Sequence, residues 1–297
     1  MPNICNNNFE YKLKSNKFVI TTEIGPPKGT DTDNIKKNVK SLSGIVDAFN
    51  ISDNQGSNMK LGGLSVSHLL VEKGLEPIFQ ITCRDRNRLA LQSDLLSAYV
   101  LGIKNVLVLT GDYTTIGDHP QAKSVFDLDS VQLLQVIKNL EQGYDIAGNA
   151  LSAKPVFFKG AAVNTDVAND ISFKLQIIKM IKKIEAGAEF FQTMPVFNIN
   201  RFKEFIYMVN KLGINVPVIA GVQLVKSEKM ALYMNKFIPG IKIPDSIIAK
   251  ISAAADKVST SIDIAAGIIK EIRTLCSGIH IGAQGWEKYI PILIKEI

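Results

Sequence analysis

Carboxylate side chains stand directly after several short apolar segments of this 297-residue sequence. Glu23 ends one such β-branched segment, and the rigid turn Gly25-Pro26-Pro27 follows it. A carboxyl group held among apolar side chains has a raised pKa, which suits it to general-acid chemistry. A carboxylate that caps a helix or forms a salt bridge at the segment end is the alternative interpretation.

Asp112 is the second candidate, because it follows Gly111 at the end of another apolar segment. A glycine lets a flat ring approach the backbone closely. A carboxylate beside such a ring would stabilise a cationic substrate. The alternative is an aspartate that simply begins a turn.

Other polar residues offer weaker signals. His280 lies inside an apolar segment and is more typical of a hydrogen-bonded core residue than of a catalyst. The run Cys83–Arg88 (CRDRNR) is either a phosphate-binding arginine cluster or a charged helix start. We expect no metal site, since no histidine pair with ligand spacing occurs, and no Ser–His–Asp order stands out.

The elements that must position these residues alternate along the whole chain. Apolar, β-branched runs predict strands, and runs with helical periodicity follow them. The predicted strands cover 18–23, 45–52, 76–83, 105–110, 155–163, 188–196, 216–224 and 278–284. The predicted helices cover 31–42, 64–73, 86–101, 130–140, 171–186, 199–212, 227–236, 244–255, 259–275 and 286–297.

Eight strand–helix units in about 300 residues favour one closed (β/α)8 TIM-type barrel over an open sheet. No GxGxxG follows the first strand, which weakens a Rossmann interpretation. We therefore predict a single α/β domain over 1–297, with 1–15 as a peripheral N-terminal extension. The carboxyl ends of the strands should then carry the chemistry.

Composition narrows the class of protein. The net charge of +6 comes from scattered lysines without interleaved aromatics, so we expect neither nucleic acid nor a membrane as partner. An anionic cofactor or substrate fits this diffuse charge. Three widely spaced cysteines and a polar first segment without an apolar core predict a reducing, cytoplasmic setting.

Several segments together resemble the methylenetetrahydrofolate reductases. They are EIGPPKGTD (23–31), DNQ (53–55), VLTGD (108–112), GDHPQAKSVFDLDS (117–130), AGAEFFQTMPVFN (186–198) and PGIKIPD (239–245). The stretch 81–112 is especially similar to the short bacterial and archaeal form, including that of one-carbon-fixing anaerobes. The resemblance runs from about residue 14 to residue 297.

The resemblance implies a flavin-binding barrel that reduces 5,10-methylenetetrahydrofolate to 5-methyltetrahydrofolate, with FAD as the usual flavin and FMN as an alternative. It implies that Glu23 is the general acid and that Asp112 favours the cationic iminium form of the folate. The flavin contacts that it implies are Ser52, Gln80, Thr110, Gly111, Ala161, Val163 and Lys183. We expect the folate to contact Gln192, Met194 and Gln223.

Two positions depart from the family pattern. The family usually has a folate-contacting glutamine where this chain has Met194, and a thioether accepts hydrogen bonds only weakly and donates none. Gln192, two residues earlier on the same strand face, is placed to compensate. Gly56 stands where relatives often carry arginine, which removes one positive charge.

Three functions stay open on the sequence. The first is a reductase that takes electrons from NAD(P)H, and the second is a subunit that depends on a separate iron–sulfur partner for electrons. The third is a non-catalytic methyl-folate binder. A homo-oligomer or a complex with a partner subunit is compatible with each of them.

Overall fold

The computed structural model describes residues 8–167, 169–238 and 240–297. Eight parallel strands pair in chain order, and the eighth pairs with the first to close a barrel. The strands are β1 (Val19–Ile24), β2 (Ala48–Ile51), β3 (Pro77–Thr82), β4 (Asn105–Leu109), β5 (Phe158–Val163), β6 (Phe190–Pro195), β7 (Val218–Gln223) and β8 (Gly278–Gly282). The predicted TIM-type barrel is confirmed.

Helices connect the strands and cover the outside of the barrel. They are α1 (Asn8–Lys14), α2 (Asp33–Leu42), α3 (Gly63–Val71), α4 (Arg88–Val100), α5 (Ser130–Gln142), α6 (Asp170–Glu185), α7 (Ile199–Lys211), α8 (Glu228–Phe237), α9 (Asp245–Ala253), α10 (Lys257–Ile272) and α11 (Ile290–Lys295). Over the described ranges, none of these helices combines the length and the apolar character that a bilayer crossing requires.

Most predicted element bounds differ from the observed ones by one to three residues, and local chemistry explains two of the differences. The closing segment predicted as one helix over 286–297 is split, because a 3-10 turn (Glu287–Tyr289) precedes α11. Pro291 suits the first turn of a helix but not its interior, so α11 starts there. Helix α10 begins earlier than predicted because the Asp256 side chain caps it, accepting from Val258 N–H and Ser259 N–H.

Side chains alternate along each strand between two packing layers. One set points outward into the large apolar core beneath the helices, for example Ile51, Val108 and Ala161. The other set points into the barrel, where residues such as Val19, Ile78 and Ile219 fill its amino-terminal half. This apolar layer supports the polar residues that lie above it, towards the carboxyl ends of the strands.

Helix α1 closes the amino-terminal end of the barrel. Phe9 and Leu13 are buried and pack with the lower interior side chains, including Phe158 and Phe190. The Phe9 ring meets those of Phe158 and Phe190 edge-on at centroid distances of 5.8 and 5.4 Å. Our expectation of a peripheral extension is therefore wrong for this helix, because its apolar face fills the barrel floor; residues 1–7 lie outside the described residues.

Candidate functional site

A cavity of about 650 Å³ opens at the carboxyl ends of the strands. Its floor and one wall are polar and come from the strand ends and the loops after β1, β2 and β4. Eight of the twelve sequence-predicted site residues line it: Glu23, Gln80, Thr110, Gly111, Asp112, Gln192, Met194 and Gln223. The barrel geometry thus brings together residues that are up to 200 positions apart in the chain.

Glu23 ends the inward-facing row of β1 and lies among protein atoms while still reaching the cavity. Burial raises the pKa of its carboxyl group to about 7, and the nearby negative charge of Glu287 adds to that increase. A hydrogen bond from Gln55 Nε2 to Glu23 Oε2 at 3.1 Å acts in the opposite direction. Within the described residues no cation forms a salt bridge with Glu23.

Asp112 follows β4 and lines the same cavity. Gly111 before it has φ +95°, a left-handed conformation that a side chain would strain. The Asp112 carbonyl accepts from Ser57 Oγ at 3.2 Å and Arg84 Nη1 at 3.5 Å. Its carboxylate makes no hydrogen bond within the described ranges, and it is therefore available to a ligand.

A buried polar network supports the cavity floor. Asn50 Nδ2 donates to Gln192 Oε1 at 3.1 Å and lies 3.2 Å from His280 Nδ1, and Gln80 Nε2 donates to Asn50 Oδ1 at 3.3 Å. His280 Nδ1 also lies 3.1 Å from Thr21 Oγ1. Burial lowers the pKa of His280 to about 4, so its ring is neutral at pH 7. The predicted role of His280 as a hydrogen-bonded core residue agrees with these contacts.

Asn50 was not identified from the sequence, although a signal existed. It is a fully buried amide inside the apolar strand AFNI, and its register partner on β1 is Glu23. Buried amides need hydrogen-bond partners, so a polar residue in such a strand indicates inward-facing neighbours that are also polar. Its two amide contacts fix the side chains of Gln80 and Gln192 below the cavity.

Gln223 ends β7, and its side chain is held against the next strand. Its Nε2 donates to Gly282 O at 2.8 Å and to Leu224 O at 3.1 Å. Those donors are used within the protein, so the amide oxygen is the atom left for a ligand. A Cβ at position 282 would lie 2.4 Å from that oxygen, so only glycine permits this approach.

The opposite wall of the cavity is apolar and comes mainly from α8 and the segment after it. Met230, Tyr233, Met234 and Phe237 of α8 face Met194 and Pro195 at the end of β6. The Tyr233 and Phe237 rings lie 4.9 Å apart between centroids. Flexible thioethers and aromatic rings fit the faces of a flat ligand.

Lys183, on α6, lies beside β5 rather than in the main cavity. Its Nζ donates to Ala162 O at 2.7 Å, and Ala162 lines the cavity. Burial, together with the charge of Lys179, lowers the pKa of Lys183 to about 8. The negative charge of Asp129 acts in the opposite direction, but no carboxylate over the described ranges forms a salt bridge with this amine.

Besides Lys183, three predicted flavin contacts lie outside the cavity. Ala161 and Val163 point into the apolar core beneath the helices, and Ser52 is buried at the end of β2. A strand alternates its faces, so the side chain of Ala162, and not those of Ala161 and Val163, faces the cavity. Only backbone atoms are left for contacts from those two positions.

The arginines of the CRDRNR run are occupied by carboxylates. Arg84 binds Asp85, Arg86 binds both Asp53 and Asp94, and Arg88 binds Asp127. Arg86 Nη1 lies 2.7 Å from Asp53 Oδ2, which also accepts from Thr82 N–H and Oγ1. These pairs favour a structural role for the run over phosphate binding.

Gly56, the second departure from the family pattern, also lines the cavity. Its φ of +61° is left-handed, and a Cβ there would lie 3.3 Å from Asn58 Nδ2. The neighbours Asn54 and Ser57 have φ values of +47° and +59°. A glycine therefore suits this tightly turned loop.

Within the described ranges, no group of three or more His, Cys, Asp or Glu side chains is arranged to hold a metal ion.

Comparison with known proteins agrees with this geometry. The family model described as methylenetetrahydrofolate reductase matches residues 8–296. A "5,10-methylenetetrahydrofolate reductase" from Buchnera aphidicola is 23% identical over 250 residues, covering 82% of this chain and 78% of that protein. A "Probable methylenetetrahydrofolate reductase (NADH)" from Oryza sativa is 24% identical over 225 residues, and the match covers 75% of this chain.

The chain spans little more than a third of several longer relatives. The matches cover 35% of the Oryza sativa protein and 39% of "Methylenetetrahydrofolate reductase 1" from Schizosaccharomyces pombe. An uncharacterized protein from Clostridium thermocellum, solved with two copies of 5-methyl-5,6,7,8-tetrahydrofolic acid, shares the fold with a TM-score of 0.68 and 18% identity. That superposition covers 97% of this chain and 96% of the other. The family model, which matches residues 8–296, shows that this protein belongs to the methylenetetrahydrofolate reductase family.

Proposed function

We propose that this protein reduces 5,10-methylenetetrahydrofolate to 5-methyltetrahydrofolate with a bound flavin. The observation that carries the proposal is the pair of carboxyl groups in one cavity. Burial raises the pKa of Glu23 to about 7, and among the residues that the structure describes no cation pairs with Glu23 and no hydrogen bond reaches the Asp112 carboxylate. Two carboxyl groups in different environments suit one proton donor and one charge stabiliser.

A flavin fits the chemistry of the residues around β4 and β5. Gly111 lines the cavity at the end of β4, and Lys183 offers a buried amine to a phosphate group. A second polar cavity of about 1270 Å³, lined by residues including Asn164, Asn198 and Lys242, meets the first at Ile241, which lines both. That additional room supports a dinucleotide flavin, FAD, over FMN. When bound, the flavin supplies the hydride.

Glu23 would hold the proton that starts the reaction. Opening the methylene bridge leaves an iminium cation at N5 once the departing nitrogen, N10, has received a proton. Near pH 7 about half of the Glu23 carboxyl groups carry that proton, because the pKa is about 7. The Asp112 carboxylate would favour the positive charge on the folate ring by direct electrostatic attraction.

The folate would lie between the polar floor and the apolar wall. Gln192 and Gln223 offer amide groups, and the α8 side chains Met230 and Tyr233 offer apolar surface to aromatic rings. The Clostridium thermocellum protein of the same fold binds methyl-tetrahydrofolate, which supports folate as the ligand class.

Met194→Gln tests whether the side chain at position 194 contacts the folate. Met194 lines the cavity at the position where relatives usually carry glutamine. We expect the substitution to tighten 5-methyltetrahydrofolate binding about fivefold, since one neutral hydrogen bond contributes about 1 kcal/mol. Isothermal titration of the flavin-loaded protein measures the dissociation constant. Met194→Leu is the control and should leave affinity within about twofold, because it keeps the volume without adding a donor. Equal affinity in the two variants would contradict an amide contact here.

Lys183→Met tests the flavin site. We expect the variant to lose flavin during gel filtration and to bind FAD about tenfold more weakly, because one charge-assisted hydrogen bond is removed. Wild-type affinity should fall as the pH rises through about 8, where Lys183 loses its charge. The neighbouring, exposed Lys182 provides the matched control Lys182→Met, which should retain flavin. Unchanged flavin content in Lys183→Met would remove this lysine from the site.

The electron donor defines the choice between an independent reductase and a partner-dependent subunit. We favour a reductase that takes electrons from NAD(P)H in the folate cavity, because one barrel opening is available to both. The alternative, a separate iron–sulfur protein, predicts that the isolated chain oxidises neither NADH nor NADPH. A homo-oligomer or a complex with a partner subunit, and a cytoplasmic location, stay expectations of the sequence.

One experiment tests the proposed function as a whole. The purified protein is reconstituted with FAD, reduced anaerobically by light and mixed with 5,10-methylenetetrahydrofolate, and both the visible spectrum and the folate products are followed. We expect flavin reoxidation together with one equivalent of 5-methyltetrahydrofolate. Folate binding without any reduction would favour the non-catalytic binder, and failure to take up flavin would refute the reductase.

A further inference from the structure

The motif GDHPQAK contains an aspartate that the proposed reaction does not use. Asp118 lies on the connection between β4 and α5, at the rim of the main cavity. Its carboxylate accepts hydrogen bonds from Lys28 Nζ, on the loop after β1, and from Met59 N–H at 3.0 Å, on the loop after β2. His119 Nδ1 lies 2.8 Å from the same carboxylate. One side chain therefore links three loops that line the cavity.

A second contact joins two of these loops closer to Asp112. Ser57 Oγ lies 3.2 Å from Asp112 O and 2.9 Å from Tyr113 O, the two carbonyls that begin the β4–α5 connection. Gly117 packs directly on Ser57, since a Cβ at position 117 would lie 1.9 Å from Ser57 O. The loop after β2 therefore holds the backbone at both ends of the segment 112–117.

The backbone of the loop after β2 carries strain at this contact. Asn54, Gly56 and Ser57 all have φ between +47° and +61°, and two of them are not glycine. Left-handed conformations of non-glycine residues are unfavourable and are retained where surrounding contacts enforce them. At Ser57 the surrounding contacts are those with Asp112, Tyr113 and Gly117.

We propose that Asp118 is a positioning residue for Asp112, acting through a clasp formed by Lys28, Ser57, Gly117 and Asp118. The clasp fixes the β4–α5 connection so that the Asp112 carboxylate faces the ligand cavity. The ion pair itself contributes little to folding, because the Lys28 side chain is 55% exposed and surface pairs are weak. Its effect lies in the geometry of Asp112. This inference rests on the proposed folate site.

The test combines hydrogen–deuterium exchange with a double-mutant cycle on the FAD-reconstituted full chain. The variants are Asp118→Ala, Asp112→Asn and the double variant. Lys28→Met removes only the ion-pair partner of Asp118 and should give a smaller effect of the same kind. We expect Asp118→Ala to increase exchange in residues 112–117 and to weaken 5-methyltetrahydrofolate binding about tenfold, since displacing a binding group by about 1 Å costs this much or more. The double variant should bind no more weakly than Asp112→Asn alone, because both changes remove the same interaction.

The matched control is Asp127→Asn. Asp127 lies on the same β4–α5 connection and pairs with Arg88 of α4, but it does not line the cavity. It should leave exchange at 112–117 and folate affinity unchanged. Unchanged exchange in Asp118→Ala, or affinity losses that add in the double variant, would overturn the proposal. If wild-type protein binds no folate, the proposed function fails, and exchange at 112–117 alone decides whether the clasp holds this segment.

Discussion

Glu23→Gln should reduce the rate of folate reduction by about two to four orders of magnitude, the range that one general acid contributes. Glutamine keeps the shape of the side chain and its contact with Gln55 but has no acidic proton to deliver to N10. Flavin content and photoreduction should be unchanged, because Glu23 lies at the end of β1 and Lys183 lies beside β5. Anaerobic stopped-flow mixing of the reduced protein with 5,10-methylenetetrahydrofolate measures the rate.

The pH profile gives an independent measurement of the same acid. The proposed reaction needs protonated Glu23, and burial raises the pKa of Glu23 to about 7, so the wild-type rate should fall as the pH rises through about 7. The hydrogen bond from Gln55 lowers that pKa, and Gln55→Leu should therefore move the fall to higher pH. Glu72→Gln, on an exposed surface, should change neither rate nor profile. A full rate in Glu23→Gln would assign the proton to another group.

Phe9→Ala should destabilise the barrel by about 3–5 kcal/mol, the usual cost of deleting a buried aromatic side chain. The Phe9 ring is fully buried at the barrel floor, where it contacts the stacked pair Phe158 and Phe190. The cavity left by its removal is enclosed by rigid strands that cannot collapse into it. Urea unfolding followed by circular dichroism measures the free energy of unfolding.

The same helix provides the control for this prediction. Tyr11 is 61% exposed on the outer face of α1, so Tyr11→Ala should change stability by less than about 0.5 kcal/mol. Backbone N–H groups of Asn8 and Phe9 donate to the Glu76 carboxylate at 2.7 and 2.9 Å and fix the start of this helix. Equal stability in the two variants would mean that α1 does not contribute to the core.

The sequence predicts much of this molecule because its signals are local. Short β-branched runs between helical periods give the eight strands, and the carboxyl ends of parallel strands must meet, which brings Glu23, Asp112 and Gln223 together. The face of β5 on which Ala161 lies could not be predicted in this way. A shift of one residue reverses the face of a strand, and only the pairing register places Ala162 in the cavity.

Other features depend on contacts between distant segments and leave no local signal. Helix α1 is seven residues long and polar on its outer face. Its apolar residues Phe9 and Leu13 are spaced as in any short surface helix, so the sequence does not indicate that they pack into the barrel floor. Asp118 gives the same difficulty, because Lys28 and Met59 reach it from two other loops. Composition and periodicity contain no information on such contacts between loops.

The closed floor of the barrel also restricts how the acid recovers its proton. Below Glu23 lie the neutral ring of His280 and then an apolar layer sealed by Phe9 and Leu13. Among the described residues, neither layer offers a titratable group that exchanges protons with bulk water at neutral pH. In the proposed reaction, the proton that Glu23 gives up would therefore be replaced from the side on which the cavity opens, and recharging of the acid would follow departure of the product.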